Sequence, residues 1–82
     1  MGGSVEILET ARRTLGLSID ELWWRYFALG GMRTRWEVDA ILNRAVAPTT
    51  EDRDLLALAL NERSSELGRG HPIPYSTDPG GD

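Results

Sequence analysis

The chain has 82 residues, 40% of them apolar, and a net charge of −4, which suffices for one small core and not for two domains. With no cysteine, no lysine and a single histidine, it excludes a disulfide scaffold, a thiolate metal site, a thiol nucleophile, a Schiff-base enzyme and a P-loop. The acidic balance opposes blanket binding to nucleic acid or to anionic membrane, and no apolar run approaches the ~20 residues of a membrane span.

The opening Met1-Gly2-Gly3-Ser4 is too short for a signal peptide, so a cytoplasmic protein is expected. All nine basic residues are arginine, and the alanine, glycine and leucine content suits a GC-rich bacterial coding source. The charge is uneven: the first fifty residues sum to zero, and residues 51–82 carry the whole excess of acid.

The first helix is expected from Ser4 to Leu15, where Leu8, Ala11 and Leu15 recur at helical spacing with Ile7 beside them. Gly16 is placed to end it in a left-handed conformation, with Leu17 folding back behind it. The second helix has the clearest start. Ser18 and Glu21 form a capping box, and Leu17 and Leu22 form the accompanying staple. Ile19, Leu22, Trp23, Tyr26, Leu29 and Gly30 then mark one face, up to a stop at Gly30-Gly31. The third helix opens at Thr34 with a second capping box through Glu37. Val38, Ile41, Leu42 and Ala45 share a side, and Pro48 closes the segment. The fourth begins after Thr49 or Thr50, with Glu51 and Asp52 complementing its dipole and Leu55, Leu56, Ala59, Leu60 and Leu67 as its stripe. The expected fold is therefore all-α: a compact four-helix domain over residues 1–75, an orthogonal helix-turn-helix-like bundle. An extended Pro/Gly-rich tail ends it. Ile73 and Tyr75 are placed to dock on the bundle, and 76–82 are expected to be disordered.

On the wheel of the second helix, Trp24 falls about 140° from Ile19, at ~100° per residue, with Asp20 and Phe27 on the same flank. Two readings follow. Either this helix is central and buried nearly all round, or Trp24, Phe27 and Asp20 are an anchor for a protein partner. Trp36 lies almost opposite Val38 and is expected to fold back onto the preceding loop. Arg25, Arg33 and Arg35 form an acid-free basic window around the Gly30-Gly31 turn, with Arg44 further on. They are either a solvated face paired with Asp20, Glu21, Glu37 and Asp39 or a set of phosphate contacts.

His71 has no second imidazole or thiolate, so no metal is expected. Asp52 and Asp54 lack the glycine and the downstream glutamate of a calcium loop. No serine has a histidine base near it in sequence. Neither enzymatic activity nor a cofactor is expected.

Residues 11–22, ARRTLGLSIDEL, and residues 48–60, PTTEDRDLLALAL, resemble the opening and closing helices of the lambda-repressor/Cro-like helix-turn-helix family. The resemblance implies a compact helical domain whose third helix reads the major groove of DNA. Three functions are thus open. The leading one is a regulatory module, in transcription or signalling control, that binds a protein partner or itself through Trp24, Phe27 and Asp20. The second is a DNA-binding regulator using Arg25, Arg33, Arg35 and Arg44. The third is an enzyme or ligand carrier with an aromatic pocket among Trp23, Tyr26 and Trp36.

Overall fold

Three of the four helices start on a hydroxyl side chain that accepts from the third amide of its own helix. The computed structural model describes residues 3–69 and contains α1 (Gly3–Thr14), α2 (Ile19–Ala28), α3 (Arg35–Leu42) and α4 (Thr50–Glu66). The caps are Ser18 with Glu21, Thr34 with Glu37, and Thr49 with Asp52, each a reciprocal capping box. The Ser18 and Thr34 boxes confirm the expected starts, and Thr49 rather than Thr50 caps α4. The fold is all-α, as expected. The residues of the tail, Ile73 and Tyr75 included, lie outside the described residues.

The helix ends are alike too. After each helix one residue takes a left-handed conformation, and the next amide reaches back to a carbonyl five residues earlier. Those residues are Gly16, Gly30, Arg44 and Gly68. The returning bonds are Leu17 to Arg12 at 3.1 Å, Gly31 to Tyr26 at 3.0 Å, Ala45 to Ala40 at 2.8 Å and Arg69 to Ser64 at 2.8 Å. This satisfies carbonyls that a helix end leaves open. Arg44, with φ 64°, is the one side chain in that role. It ends α3 before Ala45, which is exposed and not part of the core face expected of it.

The helices close a ring in which α1 and α2 each pack against both α3 and α4. Leu8, Leu15, Leu17, Leu22, Tyr26, Val38, Ile41, Leu42, Leu56, Ala57, Ala59 and Leu60 make the core. The helix covered on most sides is α4 and not α2: from Asp52 to Ser64 none of its residues is exposed. That is why its apolar stripe is blurred, with Asp52, Asn61 and Ser64 buried beside the leucines. Leu67, expected on the stripe, caps the helix and is exposed.

One polar node joins α2, the α2–α3 loop and α4. The Tyr26 hydroxyl donates to Asp52 Oδ1 at 3.1 Å and accepts from the Arg33 amide at 3.0 Å. Asp52 Oδ2 accepts from Arg33 Nε at 2.8 Å and from the Thr49 amide at 3.2 Å. Burial pushes the Asp52 carboxyl up, but the Thr49 amide, Arg33 and Tyr26 together outweigh it and hold it below its ordinary value. Burial lifts the Tyr26 phenol above its usual range; the Arg33 amide opposes this and Asp52 adds to it. The phenol therefore stays a donor at neutral pH. Gly31 completes the arrangement. A Cβ there would sit 2.3 Å from the Tyr26 ring, so only glycine lets the loop pass under it.

Two expectations follow. Gly31→Ala should cost about 1–3 kcal/mol, because the buried ring has no room to move. Denaturant titration reads this directly. Asp52→Asn should cost about 1–3 kcal/mol at neutral pH by leaving the Arg33 guanidinium without its carboxylate and one of the converging donors without an acceptor. Because folding lowers the Asp52 pKa, its contribution is full above the ordinary 3.8 and is lost as the pH falls from there through the lowered value. The variant should therefore show a flatter acid limb in a plot of stability against pH.

Candidate interaction surface

Helical spacing places Trp23 and Trp24 of α2 each one turn from Phe27, since residues three and four apart are neighbours on a helix surface. Their rings form one cluster. Trp23 lies 5.2 Å from Phe27, nearly parallel at 24°, and 5.0 Å from Trp24 at 60°. Trp24 and Phe27 meet edge to face at 6.1 Å and 84°. Trp23 is the half-buried base of the cluster. Its indole N–H donates to the Arg33 carbonyl at 3.0 Å, which ties α2 to the loop before α3. Trp24 and Phe27 face outward, 61% and 51% exposed. The reading in which α2 is buried nearly all round is therefore corrected. Its outward face is free because α4, not α2, occupies the centre.

The surface continues onto α3. Arg35 forms an ion pair with Asp20, one turn before Trp24, and its guanidinium sits over the Trp36 ring at 5.1 Å from the centroid. Trp36 does not fold back onto the loop as expected; it is 74% exposed, because the loop is already covered by Trp23 and Tyr26. Met32, which no periodicity singled out, is 91% exposed in that loop. Trp24, Phe27, Met32 and Trp36 thus surround the α2–α3 corner. Ile7, Val46 and Leu67 are exposed too, but singly exposed apolar side chains are ordinary.

Each of the four candidate nucleic-acid contacts has a carboxylate partner. Arg25 donates to both oxygens of Glu66 at 2.9 and 2.8 Å and lies 3.9 Å from Glu62. Arg33 is held by Asp52 and lies 3.7 Å from Glu37. Arg35 pairs with Asp20, and Arg44 with Glu6. The hydrogen bond to Arg25 in turn holds the Glu66 carboxyl below its usual range. The carboxylates are partly those expected. Asp20 and Glu37 take part, whereas Glu21 closes the Ser18 cap and Asp39 accepts from Asn43.

The aromatic pocket expected among Trp23, Tyr26 and Trp36 does not form: Tyr26 has no exposed surface and Trp36 points to solvent. A shallow polar cleft of about 270 Å³ lies elsewhere, between Glu6, Glu9, Thr10, Arg13, Leu42, Asn43 and Arg44. Its two arginines are ion-paired to its two glutamates. Among the described residues no group of three or more histidine, aspartate or glutamate side chains could hold a metal ion, and no helix is long and apolar enough to cross a membrane. Comparison of the chain with protein-family models, curated proteins and solved structures finds no match.

The geometry separates the tryptophans by role. Trp23→Phe removes the donor to the Arg33 carbonyl and should cost about 0.5–1.5 kcal/mol. Trp24→Ala and Trp36→Ala should stay within about 0.5 kcal/mol of the parent, as surface substitutions do. Parallel urea titrations of the three variants test this; equal losses would contradict the assignment.

Proposed function

We propose that this chain is a small non-enzymatic regulatory module that binds another protein, or a second copy of itself, through the Trp24–Phe27 face of α2. The observation that carries the reading is the division of labour among the aromatics. Tyr26 and Trp23 are consumed by the fold, while Trp24 and Phe27 stand exposed on a rigid helix. Large, rigid rings of this kind dominate the energetics of protein interfaces. Asp20, held by Arg35, supplies a polar rim beside Trp24.

The arginine arrangement weighs against the DNA-binding reading that the helix-turn-helix resemblance implies. A phosphate contact by Arg25, Arg33, Arg35 or Arg44 would have to displace a carboxylate, and in the case of Arg33 would open the Asp52 node.

The test is a pair of variants. Trp24→Ala should weaken self-association in sedimentation, or binding to a captured partner, by about 2 kcal/mol or more, roughly thirtyfold. The far-ultraviolet circular dichroism should remain helical, and added salt should matter little. Arg44→Ala, whose side chain pairs with Glu6 of α1 and takes no part in that face, should leave that association intact. Tight duplex binding at about physiological salt, lost in the arginine variant and retained in Trp24→Ala, would reverse the assignment.

A further inference from the structure

We infer that the occupant of the α2–α3 corner is a second copy of this chain, in a two-fold pair in which Asp20 of each copy faces the partner's Arg35. The inference rests on the reading of the Trp24–Phe27 face as the binding surface, names what binds there and carries the contact onto α3.

The first ground is continuity across the two helices. Asp20 lies one turn before Trp24 on α2, and its ion pair with Arg35 reaches α3. The Arg35 guanidinium in turn covers the ring of Trp36. Phe27 meets Trp24 edge to face, and Met32 is exposed in the loop that joins the helices. The exposed apolar side chains therefore gather at one corner, beside one ion pair. The indole hydrogen bond of Trp23 to the Arg33 carbonyl fixes the base on which they stand.

The second ground is area. A large aromatic side chain presents ~150–250 Å². The exposed parts of Trp24, Phe27 and Trp36, with Met32, thus amount to roughly 400–600 Å² of apolar surface. A stable interface removes about 800 Å² from each partner, and in homodimers ~65% of it is apolar. Each copy then needs roughly 500 Å² of apolar surface, which the corner holds. Asp20 and Arg35, both partly exposed, contribute the polar rim.

The third ground is charge. From Asp20 to Glu37 the sequence has three acids, Asp20, Glu21 and Glu37, and three arginines, Arg25, Arg33 and Arg35. This stretch is neutral in a chain of net charge −4. Two copies of an acidic chain repel, and they approach with least repulsion where each is neutral. A face made for a strongly basic or acidic partner would carry an excess of the opposite sign. The corner instead sets an acid beside a base. A half-turn brings each opposite its complement, as a two-fold contact requires. The two Asp20–Arg35 pairs then form an alternating ring of four charges at the rim.

Sedimentation of the full chain over a concentration series tests this. The mass should rise from 9.1 kDa to twice that value and no further. A chain that stays monomeric up to about 1 mM would overturn the inference, and so would a larger oligomer. Trp36→Ala should weaken pairing about tenfold or more, and unchanged association there would overturn the placement on α3. Asp20→Arg and Arg35→Asp, with helical circular dichroism retained, should each self-associate about tenfold or more weakly, because like charges then face each other. An equimolar mixture of the two should pair at least about tenfold more tightly than either alone. A mixture no tighter than its components would overturn the facing of Asp20 and Arg35. The binding face itself is tested separately. A monomeric chain whose Trp24→Ala variant loses a captured partner would overturn the second copy and keep the face. A dimer that Trp24→Ala leaves unweakened would overturn both.

Discussion

The Asp52 carboxylate is the point on which the rest of this fold turns. It closes the cap of α4 with Thr49, accepts the Tyr26 hydroxyl and binds Arg33, so one side chain joins α4, α2 and the loop between α2 and α3. A buried carboxylate is costly unless its oxygens are supplied with donors. Here three donors from three segments converge on it, which makes the node an all-or-none feature of the fold. The α2–α3 corner inherits its shape from this requirement. Tyr26 must lie over Gly31 to reach Asp52, and Arg33 is then held with its carbonyl toward Trp23.

That chain of constraints is also what shapes the candidate surface. Trp23 is pinned by the Arg33 carbonyl and presents a flat base to Phe27 and Trp24. The exposed rings are thus preorganised, which lowers the entropy lost when a surface binds. Cations and aromatics are segregated by function. The arginines fasten helices to one another: Arg25 to α4, Arg33 to Asp52, Arg35 to α2, Arg44 to α1. The rings that remain face solvent. In a surface built for phosphate the cations would be left unpaired.

Much of the architecture was legible because its signals are local. Ser18 with Glu21 and Thr34 with Glu37 each lie three residues apart, and capping depends on nothing farther away. The left-handed ends at Gly16 and Gly30 follow from the same short-range chemistry. The end of α3 and the buried face of α4 are less legible. Arg44 takes a conformation that composition does not advertise, so Ala45 was placed on a face that α3 never reaches. On α4 the buried face includes Asp52, Asn61 and Ser64, and polar residues there blur the pattern that hydrophobic periodicity detects.

The sequence by itself determined four helices, where two of them start, and that Trp24 lies off the apolar stripe of α2. Periodicity ranks the faces of a helix but does not say how many of them neighbours will cover. Only the tertiary structure decided that α4 takes the central place, and with it that Trp24 and Phe27 are exposed while Tyr26 is sealed. It alone decided the arginine partners as well. Arg25 meets Glu66 across 41 positions and Arg44 meets Glu6 across 38. Ion pairs form by proximity in space, and spacing along the chain carries no record of which carboxylate folding brings near.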